Sequence, residues 1–521
     1  MLAFRPVPGI IPVQMTATSS GKQICLPATL AVLEWLRAGA VCWLLVVGLW
    51  SGPAFGASLA YPNGLLEVEI GLAVVLFILW RAGRVQPLRY YPVWGAALAT
   101  ITICALSAGM RLAFRGTEFD GLRLWKLAEP MARGAVLFLA LAGQPRLLRL
   151  AGISALVGVG LLAAATIIQH LTGVTRWYAD LDQGWAGGLA SVPLTIDAPR
   201  AQGLTSYINL TSAMLGASVA LWATPVALRV PPGRWARVTL ALGGVATVAA
   251  LWYTGSRGPL LAITAVLCIF FGALSARYAM RVLVLLGFFL LAVWPSFPWW
   301  SLLALGGGVL VFALFTHHPR MRLLLPMALG LSLAGGLHAV DYYLLHLPLQ
   351  FRLGEQGVAD QARLDIDRLA LAAIQEAPWW GVGDAEIARR LRNDVENPGL
   401  RVLPRTQQNA HNQYLHWAAA EGIPAALCYT LLMVGAVVWC WRQAMRQRVP
   451  VPRVALFALA AALSTFLLAN LVDAHFWRIE GAGFFWSLFA LAPAVLTLPE
   501  SRGNDVNPGG EAAVVNNPTT C

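Results

Sequence analysis

Residues Gln407 to Pro424 read QQNAHNQYLHWAAAEGIP and run directly into an apolar stretch from Ala425 to Trp441. A helix needs about 20 mainly apolar residues to cross the hydrocarbon core of a bilayer, so this run reads as a membrane span. The sequence therefore joins a span to a titratable cluster of His411, His416 and Glu421, with amide side chains before Tyr414. One reading is an interfacial helix start, capped by Asn409 or Asn412, with Trp417 at headgroup depth. The other is proton-transfer chemistry at the membrane boundary, for which histidine is the natural side chain.

Outward from this stretch the whole chain has the same character. Of 521 residues, 58% are hydrophobic and only 12% are charged, and the mean hydropathy is +0.65. That composition excludes an ordinary soluble domain and indicates an all-α polytopic membrane protein with roughly 12–14 transmembrane helices. The net charge of +12 does not point to nucleic acid, because the arginines stand in short connectors between apolar runs. The seven cysteines lack paired spacing and lie mostly within apolar runs, so neither a disulfide framework nor a thiolate metal site is expected.

The expected spans are 30–50, 65–80, 92–110, 127–143, 150–170, 210–228, 238–254, 259–276, 282–293, 299–315, 323–340, 414–441, 454–472 and 481–498. The first continues past the length of a signal peptide's apolar core and is read as a retained span. With a cytoplasmic N-terminus, nearly every arginine-bearing connector falls on the cytoplasmic side, as the positive-inside rule asks. Arg111, Arg115, Arg123 and Lys126 are the exception; either a span is miscounted there or those charges serve something anionic. The resulting layout is a cytoplasmic segment at 1–29 and a bundle at 30–339 with a periplasmic loop at 171–203. A large periplasmic loop at 340–411, C-terminal helices at 412–498 and a disordered cytoplasmic tail at 499–521 follow.

On the outer face this layout collects polar groups that packing does not require. Residues 362–375 mix Leu364, Leu369 and Ile374 with Arg363, Asp365, Asp367 and Arg368, the pattern of a helix lying on a membrane surface. Pro378 ends it, and Gly381 and Gly383 turn the chain into a short helix near Asp384. Arg389, Arg390, Arg392, Arg401 and Arg405 add positive charge suited to phosphate or to anionic headgroups. Arg200 and Asn209 flank the start of one span, and Arg257 sits in a tight Gly-Ser-Arg-Gly turn between two others. Ionisable residues near membrane depth mark functional sites, although snorkelling to headgroups also accounts for each arginine alone.

Four short motifs in order carry a resemblance. They are R-A-Q-G from Arg200 followed by Asn209, S-R-G from Ser256, R-L-D-I-D-R leading to P-W-W-G-V-G between Arg363 and Gly383, and A-H-N-Q-Y-L with E-G-I-P between Ala410 and Pro424. Together they resemble the superfamily of O-antigen ligases, O-antigen polymerases and bacterial O-linked oligosaccharyltransferases, from about Arg200 onward. The resemblance implies a metal-independent glycosyltransferase of the multi-span GT-C type in the bacterial inner membrane, with both termini cytoplasmic and a periplasmic active site. It would move a glycan from undecaprenyl diphosphate to lipid A-core, another glycan or a protein. By motif match, Arg200, Arg257 and Arg363 bind the diphosphate and His411 is the general base. Asn412, Glu421, Asn209 and Gln413 orient groups or bind the acceptor.

No cofactor, metal or nucleic acid is expected, and membrane lipids are partners. Asp365 and Asp367 form a D-x-D but read as the solvated face of an amphipathic helix, His416 reads as interfacial packing, and Asp473 with His475 either joins the site or ends a helix, the helix end being preferred. A lipid or anion transporter is the non-enzyme alternative. It predicts internal repeats and mid-span charges, neither of which stands out in the apolar runs.

Overall fold

The computed structural model describes residues 26–46, 57–58, 61–62, 65–82, 92–115, 121–176, 192–193, 201, 203–205, 208–227, 233–274, 358–393, 410–471, 473–475 and 479–497. The expected spans at 282–293, 299–315 and 323–340, most of the loop at 171–203 and both chain ends lie outside the described residues. Eight helices come first: α1 (Leu26–Val46), α2 (Leu65–Arg81), α3 (Pro92–Arg115), α4 (Gly121–Leu141), α5 (Pro145–Leu171), α6 (Ile208–Ala227), α7 (Arg234–Tyr253) and α8 (Arg257–Leu274). After residue 357 come α9 (Val358–Glu376), α10 (Asp384–Asn393), α11 (Gln413–Glu421), α12 (Ile423–Arg446), α13 (Pro450–Ala469) and α14 (Ile479–Leu496). Two antiparallel strand pairs are minimal: β1 (Ala57–Ser58) with β2 (Tyr61–Pro62), and β3 (Val174–Arg176) with β4 (Val192–Pro193).

The protein is an all-α polytopic membrane protein. Among the described residues, α1, α3, α5, α7, α12 and α13 contain segments long and apolar enough to cross a membrane, and shorter apolar segments lie in α8 and α14. Local sequence sets their limits. Proline opens α5 and α13, where its missing N–H has no intrahelical partner to lose and its φ is already helical.

Helices α13 and α14 are apolar on all sides, which predicts burial. Phe457, Leu463 and Phe466 of α13 and Phe484 to Trp486 of α14 are almost wholly inaccessible. Helix α14 packs on α4, and α13 packs on α6, α8 and α12. The run Ala460 to Ala462 is buried at these contacts; small side chains let membrane helices approach closely, which is the main source of their packing energy.

Mid-span charge does occur, and the helices neutralise it internally. In the bundle, Arg133 of α4 donates from Nε to Glu69 Oε1 of α2 at 2.5 Å and also pairs with Glu129 one turn back. Arg37 of α1 donates from Nε to the Ala140 carbonyl of α4 at 2.8 Å. Unpaired charge is costly in hydrocarbon, so each arginine is buried with its acceptor.

The single span expected over 414–441 is divided. Helix α11 stops at Gly422, whose φ of +87° turns the chain before α12 begins. Hydropathy continues through the break and does not register it. The connector near residue 115 contains no missing span: α3 and α4 are separated by residues 116–120 alone.

Candidate functional site

The ends of α5, α6, α7, α8, α13 and α14 meet on one side of the bundle. Gln169, near the end of α5, donates from Nε2 to the Gly203 carbonyl at 2.9 Å and accepts from Gly203 N at 2.7 Å. This clamp fixes the turn before α6, where Gly203 has a φ of +74° and a Cβ would come within 2.8 Å of Thr166 Oγ1. Ala201 N donates to the Tyr253 carbonyl at 3.1 Å, tying the same turn to the end of α7. Tyr253 stacks on His170 with ring centroids 3.9 Å apart.

A buried polar chain crosses this junction. Ser256 Oγ donates to Asn209 Oδ1 at 3.2 Å, and Asn209 Nδ2 donates to Asp473 Oδ2 at 2.6 Å. Asp473 Oδ1 lies 3.3 Å from His411 Nδ1. The segment just after α13 thus joins the first turn of α6, the turn before α8 and His411, two residues before α11. Asp473 is 5% exposed and His411 13%, so the imidazole is the more accessible end. Burial alone would raise the Asp473 pKa, but the His411 hydrogen bond, the nearby His475 and the Asn209 amide hold it well below the usual carboxylate range.

Several contacts aim His411 at Asp473. Asn412 caps α11, its Oδ1 accepting from Tyr414 N at 3.0 Å and Leu415 N at 3.2 Å. Gln413 is buried, and its N–H donates to the Asn470 carbonyl at the end of α13 at 3.0 Å. Tyr414 Oη donates to the Leu467 carbonyl at 2.9 Å.

A second interface holds the far end of α11. Val382 N and Gly383 N donate to the Ala419 and Ala420 carbonyls, and Ile423 N donates to the Pro378 carbonyl at 2.8 Å. P-W-W-G-V-G and E-G-I-P are therefore two faces of one backbone junction. A Cβ on Gly381 would lie 2.3 Å from the Ala420 carbonyl oxygen, and one on Gly422 2.3 Å from the Trp379 oxygen. Arg111 enters from α3, pairing with Glu421 Oε2 at 3.0 Å and donating to the Trp380 carbonyl at 2.7 Å. One of the four cations outside the positive-inside pattern is thus buried beside a carboxylate.

The loop helices have their own core, in which Ile366, Ala370 and Ala373 of α9 meet Ala419 and Ala420 of α11. Asp365, read as part of a solvated face, is instead buried and lies 3.2 Å from Arg368 Nη1. Leu364, Leu371, Trp379 and Trp380 remain exposed. Arg389 and Arg390, read as outward positive charge, pair with Glu386 at 2.6 and 2.7 Å, and Arg390 also reaches Glu376 at 2.8 Å. The Arg389 hydrogen bond is the main reason Glu386 titrates low, at about 2. His416 is buried rather than interfacial, with Nε2 2.9 Å from Asp384 Oδ1.

Among the expected site residues, His411 and Asn209 meet through Asp473. Asn412 and Gln413 lie beside them, and Glu421 sits at the other end of α11 with Arg111. Residue 257 opens α8 directly after Ser256, and residue 363 lies in the first half of α9; their side chains, and Arg200 as a whole, lie outside the described residues. For Asp473 the sequence favours a helix end over membership of the site, and Ser256 has no role in it beyond the S-R-G turn. Their partners are 62 and 47 residues away, and no local pattern announces such contacts.

No curated protein matches the chain. Residues 242–430 match the family model described as O-antigen ligase. The matched region contains Ser256, α9 to α11 and His411, while Asn209 and Asp473 lie outside it and are bonded into it. This match falls on the same O-antigen ligase superfamily that the motifs of the chain resemble, over residues 242–430.

Proposed function

We propose that this protein is a glycosyltransferase of the inner membrane that takes a glycan from undecaprenyl diphosphate and attaches it, on the periplasmic side, to lipid A-core, as an O-antigen ligase. The observation that carries the reading is the chain His411, Asp473, Asn209, Ser256, which draws three of the four motif regions to one end of the bundle. An ionised carboxylate on His411 Nδ1 fixes the tautomer with Nε2 free and stabilises the imidazolium, the arrangement a general base needs. The acceptor hydroxyl attacks the anomeric carbon as His411 Nε2 takes its proton. The bond from that carbon to the diphosphate oxygen breaks, and undecaprenyl diphosphate leaves with the electron pair.

Charge accumulates on the diphosphate in that step, and Arg200, Arg257 and Arg363 are assigned to meet it. Fixed guanidinium groups stabilise such charge more in the transition state than in the ground state, so the reaction as written requires no metal. Asn209 and Asp473 orient the base, and Asn412, Gln413 and Glu421 position the helix that starts beside it. This reading adopts the layout inferred from the sequence, with both termini cytoplasmic and residues 340–411 as the periplasmic loop of a GT-C-type bundle.

The test is transfer by the purified full-length protein from an undecaprenyl diphosphate glycan, in chelator, offering lipid A-core, a lipid-linked repeat unit and a pilin in parallel. Transfer to lipid A-core that H411A abolishes supports the ligase reading. Transfer to the repeat unit or the pilin alone reassigns the protein to the polymerases or the protein-directed transferases. Full transfer by H411A, or none by the wild type with any acceptor, rejects the mechanism.

A further inference from the structure

At the opposite end of the same helices lies a cavity that the proposed reaction does not use. It has a volume of about 500 Å³ and is enclosed by the start of α5, the end of α6, the start of α13 and the end of α14. That volume falls within the roughly 300–1,000 Å³ of typical ligand sites. Leu148, Ala155, Leu221, Ala458 and Leu491 make its wall apolar.

The rim has a single sign of charge. Arg149 lines the cavity and is exposed. Arg146 adjoins Pro145, Arg448 stands between Gln447 and Val449, and Arg453 follows Pro452, all of these neighbours being lining residues. No carboxylate is among the described residues that line it. Arg111 and Arg133 of the bundle and Arg389 and Arg390 of α10 have acidic partners, whereas the rim arginines surround an apolar hole, Arg453 lying 5.7 Å over the Phe457 ring.

We infer that this cavity is a binding site for an anionic phospholipid, with an acyl chain between α5 and α13 and the phosphate on the arginine rim. Apolar volume and positive rim together select an amphiphile with a negative head: a free phosphate leaves the apolar wall uncovered, and a neutral lipid leaves the guanidinium groups without an anion. In the orientation proposed above, the site faces the cytoplasmic leaflet, the leaflet away from His411. The contribution is to bundle stability, since a ligand that binds only the folded state adds to it.

The experiment uses the full-length protein in mild detergent, incubated with equal phosphatidylglycerol and phosphatidylethanolamine, stripped by washing, and assayed for retained lipid by mass spectrometry. The wild type retains phosphatidylglycerol in preference. R149Q changes an exposed side chain and leaves the packing untouched, and paired with R448Q it lowers retention at least fivefold. Ala155→Trp fills the cavity and does the same. Equal retention of both lipids by the wild type, or undiminished retention by the arginine variant, overturns the inference. So does an Ala155→Trp protein that changes from dimer to monomer with unchanged lipid content, which assigns the cavity to a second copy of the chain.

Discussion

Arg111 and Glu421, 310 residues apart, form a buried ion pair in which both terminal guanidinium nitrogens reach one carboxylate oxygen, at 3.0 and 3.1 Å. Arg111 also donates to the Trp380 and Ala420 carbonyls, so the pair closes the junction between the glycine turn before α10 and the end of α11. Removing one partner of a buried pair strands the other charge, which costs about 3–5 kcal/mol. R111A and E421A are each expected to lower the unfolding temperature in detergent markedly. In a double-mutant cycle the combined variant loses less than the sum of the two; strict additivity would mean that the pair is not coupled.

His411 and Asp473 make a separable prediction. H411A and D473N both reduce transfer, but D473N keeps a residual rate because the base remains and only its orientation and charge partner are lost. Single-turnover rates at saturating donor isolate this effect as a loss in the chemical step with little change in donor binding.

Asp473 also sets a pH dependence of stability. Its pKa is depressed in the folded protein, so the stabilisation is complete above the unfolded carboxylate value of about 4 and declines as the pH falls below it toward the native value. The difference in unfolding temperature between wild type and D473N is expected to stay constant from pH 7 to 5 and to shrink from pH 4 downward. A difference that grows on acidification contradicts the assignment.

Gly381 and Gly422 are expected to reject any side chain. Their φ angles are +68° and +87°, and the nearest backbone oxygens lie 2.3 Å from where a Cβ would sit. Substitution by alanine at either position costs about 1–3 kcal/mol in backbone strain alone, and the clash adds to it. Gly435, within α12, has nothing within 4 Å of its Cβ position. Gly435→Ala is the matched control and is expected to be neutral or slightly stabilising, by up to about 1 kcal/mol.

Asn412 separates a capping role from a binding one. Loss of the cap in N412A costs about 1 kcal/mol, whereas N412S and N412D preserve an oxygen acceptor for the Tyr414 and Leu415 amides. If the side chain only caps, both conservative variants transfer glycan at near wild-type rates. A loss of transfer in N412S with unchanged thermal stability indicates that the amide contacts substrate.

The order of the described membrane helices was legible because a bilayer imposes one strong rule, a length of apolar chain per crossing, and hydropathy reports it directly. The end of α11 was not, because Gly422 interrupts the backbone without interrupting apolarity. The motif residues His411 and Asn209 were legible as polar groups unexplained by packing, and the single carboxylate between them was not. Asp473 follows an apolar helix, where an aspartate is locally unremarkable, and its meaning comes from Asn209, 264 residues earlier. Asp365 reads as a surface group because periodicity assigns one face of a helix to solvent, while α9, α10 and α11 cover one another; His416 reads as interfacial packing, and its partner Asp384 stands on another helix.

The backbone junction at Gly381 and Gly422 has a mechanical consequence. With carbonyls seated directly on the partner chain and no flexible side chain between them, α9 and α11 have no room to slide, so the helix bearing residue 363 and the helix that starts beside His411 move as one body. In the reaction proposed above, a donor held at residue 363 would carry the second helix with the first, so the separation of diphosphate and base would be set by peptide geometry rather than by the ligand.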